Sequence, residues 1–387
     1  MSSPTFLAMT NIELFYFAGK CLTIEEHPGF RKELIDKITT DSFDWEKFVA
    51  HCSNHLILPV IYLKFKSQDI LKYLPEEVSE FLKEVYELNL ERNNQIKKQL
   101  QEITGILNKG NIYPIYLKGA GHLLNGLYAD MGERMMSDID LLVPEKDYVN
   151  AAQLMKNEGY SMHDEFASEF YGEDAESLKH YPPLVKDGSA AHIEIHRLPV
   201  EAACQSWFNS ELIDTEKKPV SALKGCFVIS DKHNIIHNFI HSQLGHEGHI
   251  YGIVSLRDLY DLYLLSKRTE VQQTLPCIKT KQKAIAYFAF ADRALALDSQ
   301  LYEGGNFSSW IFIKKHDLNQ SSRTFYLLHR GIIYFIQRVI IGFTGQIIKS
   351  FYSRKMRHWV IKRLTDRQYL IAHLNSYKSF FITKKKV

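Results

Sequence analysis

The sequence predicts an α/β protein: a small mixed sheet with its own helices, set between an N-terminal and a C-terminal helical region. Three observations carry this. First, Met135-Met136-Ser137-Asp138-Ile139-Asp140-Leu141-Leu142-Val143 alternates as a strand does, with Asp138 and Asp140 on one face and Ile139, Leu141 and Val143 on the other. Second, Ile112-Tyr113-Pro114-Ile115-Tyr116-Leu117 and His192-Ile193-Glu194-Ile195-His196 are two more β-rich runs. With the helical stretches between them they read strand–helix–strand–helix–strand over about 90 residues, a compact α/β unit. Third, apolar residues on both sides of this unit recur at helical spacing.

The elements follow in order. Residues 9–70 read as short helices. Asp41-Ser42-Phe43-Asp44-Trp45 is a helix start with small polar caps, followed by Trp45, Phe48, Val49 and Cys52 at helical spacing. A second helix is expected from Pro59 through Tyr62 to Phe65. Leu74-Pro75-Glu76-Glu77 opens a long helix, with proline and acids in its first turn. Its expected apolar stripe is Val78, Phe81, Leu82, Val85, Leu88, Ile96, Leu100, Ile103 and Leu107, ended by Lys109-Gly110-Asn111. The first strand leads into Lys118-Gly119-Ala120-Gly121 and a short helix over 119–128, and Gly132-Glu133-Arg134 turns the chain into the Asp-x-Asp strand. Pro144-Glu145-Lys146-Asp147 starts another helix, with Ala151, Leu154 and Met155 inward, ending at Glu158-Gly159-Tyr160. From Asp231 onward the chain reads as mostly helical. Expected domains are a helical region over 1–73, a core with its lead-in helix over 74–200, and a mostly helical domain with a basic tail over 201–387.

The chain has 387 residues and a net charge of only +2, but the charge is uneven. Residues 321–387 hold 14 Lys/Arg and one acid, a balance of +13, which leaves −11 for the rest. Such opposed parts point to an anionic partner for the basic segment or to mutual docking. Five cysteines lie far apart with no C-x-x-C pair, which argues against a disulfide scaffold or a cysteine zinc site and fits a reducing, cytoplasmic setting. The N-terminus lacks a basic region followed by an apolar run, so no signal peptide is expected. Residues 331–348 are mostly apolar, but Gln337 and Arg338 interrupt them and 18 residues is the short limit for a bilayer span. A buried or interfacial helix is expected there instead.

The chemistry starts from the acids. Two carboxylates side by side on a strand repel one another unless a cation neutralises them, and Mg²⁺ takes carboxylates together with substrate phosphates. Glu194, on a strand that can neighbour theirs, supplies a third. Three carboxylates of this kind suit two-metal phosphoryl or nucleotidyl transfer, in which cations clamp the attacking and leaving oxygens. Asp138, Asp140 and Glu194 are therefore the candidate catalytic and metal-binding residues, with Mg²⁺ or Mn²⁺ as cofactor. Upstream, Leu117-Lys118-Gly119-Ala120 ends a strand and begins a helix. Amides at such a start bind phosphate, Gly119 permits close approach and Lys118 adds a point charge. Arg134 can fork onto a phosphate oxygen. Ser137, beside the acids, and His196, just after the third, complete the candidate nucleotide-binding set, with Arg197 a further substrate contact. Each has a plainer reading: a tight turn for Gly119 and Gly121, ion pairs with the Asp residues for Lys118 and Arg134, and a solvated strand end for His196.

Leu-Lys-Gly-Ala, a gap, Arg-Met-Met-Ser-Asp-Ile-Asp-Leu-Leu-Val and then Ile-Glu-Ile-His together resemble the uncharacterised nucleotidyltransferase-like family of the DNA polymerase β superfamily. Asp44-Trp45 with His55, Pro59 and Tyr62 is similar to that family's N-terminal helices, and His241 with Arg257-Asp258-Leu259 to its C-terminal ones. The resemblance covers roughly residues 40–265. It implies Asp138 and Asp140 as metal ligands, Glu194 as the third carboxylate and Lys118-Gly119 as the phosphate turn. It also implies transfer of an NMP group from an NTP to a hydroxyl or phosphate acceptor, which the sequence leaves open among small molecules, proteins and RNA. Ala120 stands where the superfamily usually has serine, so a hydroxyl contact is absent there. The spacing from Gly119 to Asp138 is also longer than in most polymerase β relatives, and matches the narrower family. A nucleotide-binding module without turnover is the alternative.

Two features stand apart. His237 and His241, at i and i+4 with His246 and His249 beyond, could hold zinc, although His-Glu-x-x-His is absent; lining of the nucleotide cleft by His241 or His246 is the other reading. The basic C-terminal segment interleaves Lys and Arg with Phe351, Tyr352, Trp359, Tyr369 and Tyr377, a mix that suits nucleic acid, another polyanion or an anionic membrane surface, or simply a solvated helical cap.

Overall fold

The computed structural model describes residues 9–40, 42–162, 178–337, 342–365 and 367. Asp41, Arg338, Tyr369 and Tyr377 lie outside the described residues, and so does the Trp359 side chain. The protein is mixed α/β and forms two compact units. One comprises residues up to 248 with 254–312, and the other residues 249–253 with those from 313 on. The expected boundaries at 73/74 and 200/201 fall inside the first unit.

In the first unit, helices α1 (Asn11–Leu22), α2 (Phe30–Ile38), α3 (Trp45–Asn54) and α4 (Leu58–Ser67) form the N-terminal helical region. Phe15, Phe17, Phe48 and Phe65 are buried there. Asp44 caps α3 by accepting from the Lys47 amide at 2.9 Å, the start its sequence predicts.

Helix α5 (Glu76–Lys109) is 34 residues long, about 51 Å at 1.5 Å per residue. The expected apolar stripe holds in its second half, while in the first half Leu82 is buried and its neighbours on the stripe are not. Phe81 and Leu88 are exposed, whereas Asn89, Asn93 and Gln99 are buried in line with Ile96, Leu100 and Ile103. The amides are buried because they take up backbone groups of the neighbouring chain. Asn89 Nδ2 donates to Gly132 O at 2.7 Å, and Asn93 Nδ2 to Arg134 O at 2.9 Å. Gln99 donates to Ala191 O at 2.8 Å and accepts from Ala191 N at 3.1 Å. Arg92 donates to Met136 O and, at 3.0 Å, to Ala190 O.

The sheet has seven strands in the order β3-β4-β5-β2-β1-β7-β6. They are β1 (Ile115–Tyr116), β2 (Asp138–Leu142), β3 (Ser161–Met162), β4 (Leu184–Val185), β5 (His192–His196), β6 (Lys218–Pro219) and β7 (Phe227–Val228). Strand β2 lies between β1, antiparallel to it, and β5, parallel to it; β1 also pairs parallel with β7. Ile139, Leu141, Ile193 and Ile195 are fully buried on one face of the sheet, in a core shared with Leu100, Ile103 and Leu107 of α5. Helix α6 (Lys118–Leu124) follows β1, and α7 (Tyr148–Asn157) lies between β2 and β3 in the chain. Helix α8 (Ser210–Glu216) lies between β5 and β6 in the chain, and after β7 come α9 (Asp231–Phe239), a π-turn over Ile240–Gly245, α10 (Leu256–Ser266) and α11 (Lys281–Ala294). Strands β3, β4, β6 and β7 are not among the three that the sequence predicts, because each is two residues long and leaves no alternation to read.

The second unit holds the end of α12 (Phe307–Ser321), then α13 (Arg323–Phe335), α14 (Gly342–Tyr352) and α15 (Arg354–Thr365). Within it Asn319 Nδ2 donates to Tyr251 O at 2.7 Å and Tyr251 OH to Gln337 Oε1 at 3.0 Å. The apolar stretch over 331–348 is shared between α13 and α14. Ile332, Phe335, Ile336 and Ile348 are exposed, so it is not a buried helix. Among the described residues no helix is long and apolar enough to cross a membrane.

Candidate active site

The parallel ladder between β2 and β5 sets Asp138 opposite His192 and Asp140 opposite Glu194. Because alternate residues share a face and the isoleucines claim the core side, the acids and histidines are left together on the other. Ligand atoms of Asp138, His192 and Glu194 lie within 4.8 Å of one another, and so do those of Asp140, Glu194 and His196. Glu194 belongs to both groups. The donor set, carboxylate oxygens with two imidazoles, fits a divalent cation. His192 did not enter the sequence-derived set. Its position opposite Asp138 depends on strand register, which the sequence alone does not show.

Asp140 is 2% exposed. Its Oδ1 accepts from Lys118 Nζ at 2.6 Å and from His196 Nε2 at 2.8 Å. Burial alone would raise its pKa; the ammonium of Lys118 and the bond from His196 override that and hold the carboxyl well below its ordinary value. Glu194 follows the same pattern. Burial pushes it up, but His196, 3.5 Å away, brings it below the usual range. His196 is 1% exposed, so it is a buried strut under the acids and not a solvated strand end. Its Nδ1 has no partner among the described residues.

Lys118 is the first residue of α6 and has φ +46°, a left-handed conformation that costs a non-glycine residue on the order of 1 kcal/mol. The backbone twist accompanies an ammonium held on Asp140. Three residues on, a Cβ at Gly121 would lie 2.6 Å from Tyr116 O, so glycine there lets helix and strand touch. Gly119 faces Arg134, whose Nη1 would be 2.9 Å from an added Cβ. Ala120 is buried in the core cluster, so its side chain is engaged in packing. Ser137 Oγ donates to Asp138 Oδ1 at 3.3 Å.

Arg134 does fork onto a carboxylate, but not onto either strand acid. Its Nε and Nη2 meet Asp261 Oδ2 at 3.1 and 2.8 Å, and its Nη1 donates to Met135 O at 3.1 Å. Burial works against both charges, raising Asp261 and lowering Arg134, and the bidentate geometry holds them together. Tyr128 OH also donates to Asp261. Asp261 carries no local signal in the sequence, since it sits in an ordinary helix.

A cavity of about 340 Å³ opens over these groups. Its wall includes Lys118, Gly119, Arg134, Ser137, Asp138 and Glu194 from the strand side, with His237, His241, His246 and Arg257 from the later helices. Asp140 and His196 do not line it. His237 is buried and its Nε2 lies 3.1 Å from Pro199 O. Burial, with Lys118 nearby, pushes its pKa down to about 3, and burial lowers His241 well below the ordinary value. Among the described residues, neither belongs to a group with metal-holding geometry. The π-turn that follows α9 carries His241 to the cavity wall.

A seven-stranded mixed sheet with helical flanks and an acid-bearing central strand is the architecture of a nucleotidyltransferase-type protein. A family described as "Uncharacterised nucleotidyltransferase" matches residues 41–303, and the chain belongs to that family. The match runs past residue 265, where the sequence resemblance was drawn to end, through α10 and α11. No curated protein and no solved structure matches the chain.

Proposed function

We propose that the protein transfers a nucleotidyl group from an NTP to a hydroxyl or phosphate acceptor, with Mg²⁺ or Mn²⁺ as cofactor. The observation that carries the reading is the meeting of Asp138, Asp140 and Glu194 across one parallel ladder, with Asp138 and Glu194 on the wall of a cavity and Asp140 buried behind them, in a chain of a nucleotidyltransferase family. The acceptor oxygen attacks the α-phosphorus, the bond from that phosphorus to the bridging oxygen breaks, and pyrophosphate leaves. Asp138, Asp140 and Glu194, joined by His192, would hold the ions. When bound, these supply charge for the triphosphate and acidify the acceptor hydroxyl. Glu194, half-buried and kept ionised, accepts the acceptor's proton.

Lys118 and the Gly119 turn, in the cavity wall, meet the phosphates, with Ser137 beside them. Arg134 and His196 act as positioning residues: Arg134 fixes the turn before β2 through Asp261, and His196 aims Asp140. The neutral imidazoles of His237 and His241 supply hydrogen bonds to the base, sugar or acceptor without adding charge. A cytoplasmic setting, rich in NTP and Mg²⁺ and reducing towards thiols, suits this reading.

The test is incubation with each α-labelled NTP and cell extract, followed by identification of what becomes labelled. Label transfer by the native chain, lost in Asp138→Asn with unchanged circular dichroism, supports the reading. Transfer retained in that variant overturns it.

One observation favours a second reading. The Lys118 ammonium already neutralises Asp140, as it would in a nucleotide-binding module without turnover. Calorimetry separates the two: NTP binding that leaves the nucleotide intact after long incubation with extract selects the module.

A further inference from the structure

We propose that the second unit lies on the surface of an anionic phospholipid bilayer, through the exposed faces of α13, α14 and α15. On α13 and its C-cap residue, Leu328, Ile332, Phe335 and Ile336 are 58%, 58%, 52% and 41% exposed. At 100° per residue they fall within one third of the helix circumference, while Arg323 and Arg330 fall on the opposite side. On α14, Ile348, Phe351 and Tyr352 form a similar exposed wedge, with exposed Lys349 at its flank. On α15 the exposed wedge is itself basic, with Arg354, Arg357 and His358 beside Ile361. The apolar patches and the cations therefore occupy successive helices of one unit. Contiguous apolar surface of this kind is rare on a protein with no partner for it.

Charge complementarity selects the partner. Residues 321–387 carry 14 Lys/Arg against one acid, ending in Lys384-Lys385-Lys386. An anionic bilayer offers acidic headgroups for the cations and hydrocarbon for the apolar wedges at the same depth. A nucleic acid meets the cations but has no use for Leu328, Ile332, Ile336 and Ile348, which have no ring on which a base can stack. The helices are too short and too polar to cross the bilayer, so they lie along it.

The experiment is co-sedimentation of the full chain with vesicles of phosphatidylcholine alone, and with vesicles of phosphatidylcholine mixed with phosphatidylglycerol. Binding at least about tenfold tighter to the anionic vesicles, weakened by salt, is expected. The double variant Ile332→Glu with Phe335→Glu should lose about tenfold or more, since charge replaces the inserted side chains. Arg354→Gln with Arg357→Gln should weaken binding and flatten its salt dependence. Thermal melting of the glutamate variant should match the native chain, because its altered side chains are exposed. The arginine variant also gives up the Arg357 bonds to Ser350 O at 3.1 Å and Phe351 O at 3.4 Å, so its binding is compared at a temperature where circular dichroism shows it folded. Equal binding to neutral and anionic vesicles, or no binding to either, overturns the proposal. So does vesicle binding that is indifferent to both double variants. So does tighter binding to a single-stranded RNA than to anionic vesicles, unaltered by Ile332→Glu with Phe335→Glu.

Discussion

The Nζ of Lys118 lies 2.6 Å from Oδ1 of Asp140, a carboxylate that is 2% exposed and faces Glu194 across the β2–β5 ladder. The cation comes from the turn and the acid from the strand, so one contact ties the proposed phosphate-binding element to the proposed metal-binding one. Removing it as Lys118→Met leaves a buried anion with only His196, a loss of about 3–5 kcal/mol in urea unfolding. Added Mg²⁺ should restore part of that loss by supplying the missing charge. Unchanged stability in the variant would mean the pair contributes nothing to holding the site.

Metal binding can be read without turnover. Titration calorimetry with Mn²⁺ should show Glu194→Gln losing more affinity than the roughly 10–100-fold typical of outer-shell changes, because its carboxylate belongs to both ligand groups. His192→Asn should lose less, as it belongs to one. Equal affinity in Glu194→Gln and the native chain would remove the shared-ligand arrangement.

Acidification should destabilise the protein in two windows. His237 is held near pKa 3 when folded and titrates near 6.5 when unfolded, so between these values the unfolded state binds the extra proton. Stability therefore falls as pH drops below 6.5, by about 1.4 kcal/mol per pH unit for each such histidine. His241 acts in the same direction. Asp140 has the opposite charge type: its folded pKa lies below its unfolded value near 3.9, so its contribution persists above about pH 4 and is lost only below. His237→Gln should flatten the slope between pH 4 and 6.5 by about one proton in pH-dependent urea unfolding. An unchanged slope would contradict a neutral, buried His237.

The Arg134–Asp261 pair should behave as a unit. Arg134→Met or Asp261→Asn alone should cost about 3–5 kcal/mol by stranding the partner, while the double variant costs clearly less than the sum. Strict additivity in a double-mutant cycle would show that the two do not interact.

Gly121→Ala should destabilise by about 1–3 kcal/mol, since the new methyl would meet the Tyr116 carbonyl, a backbone atom that cannot swing aside. Gly29→Ala, with open space around it, is the control and should be near neutral.

What the sequence makes legible is whatever repeats locally. Strands β2 and β5 are long enough to alternate, and that alternation puts Asp138 with Asp140 on one face of β2 and Glu194 on the face opposite the isoleucines of β5. Cap chemistry likewise located the start of α3 at Asp44. The buried amides of α5 were illegible because polar residues interrupt an apolar period. Only the carbonyls of Gly132 and Arg134 and the backbone of Ala191, far off in the chain, explain why Asn89, Asn93 and Gln99 are inside. Arg134 is expected from the sequence to fork onto a phosphate oxygen or to pair with the strand acids; the carboxylate it forks onto, Asp261, lies 127 residues away, beyond the reach of any local pattern. His192 and the cavity histidines needed register and tertiary packing for the same reason.

The row of side chains that α5 extends to the loops before β2 and β5 makes that helix a gauge for both strands. Arg92 spans the two loops at once, touching Met136 on one side and Ala190 on the other. A shift of a single position in one strand would break this scaffold and turn its acids toward the apolar side. A fragment that begins at the first strand would therefore lack the part that measures its alignment, and the ligand cluster should assemble only in chains that carry the helix as well.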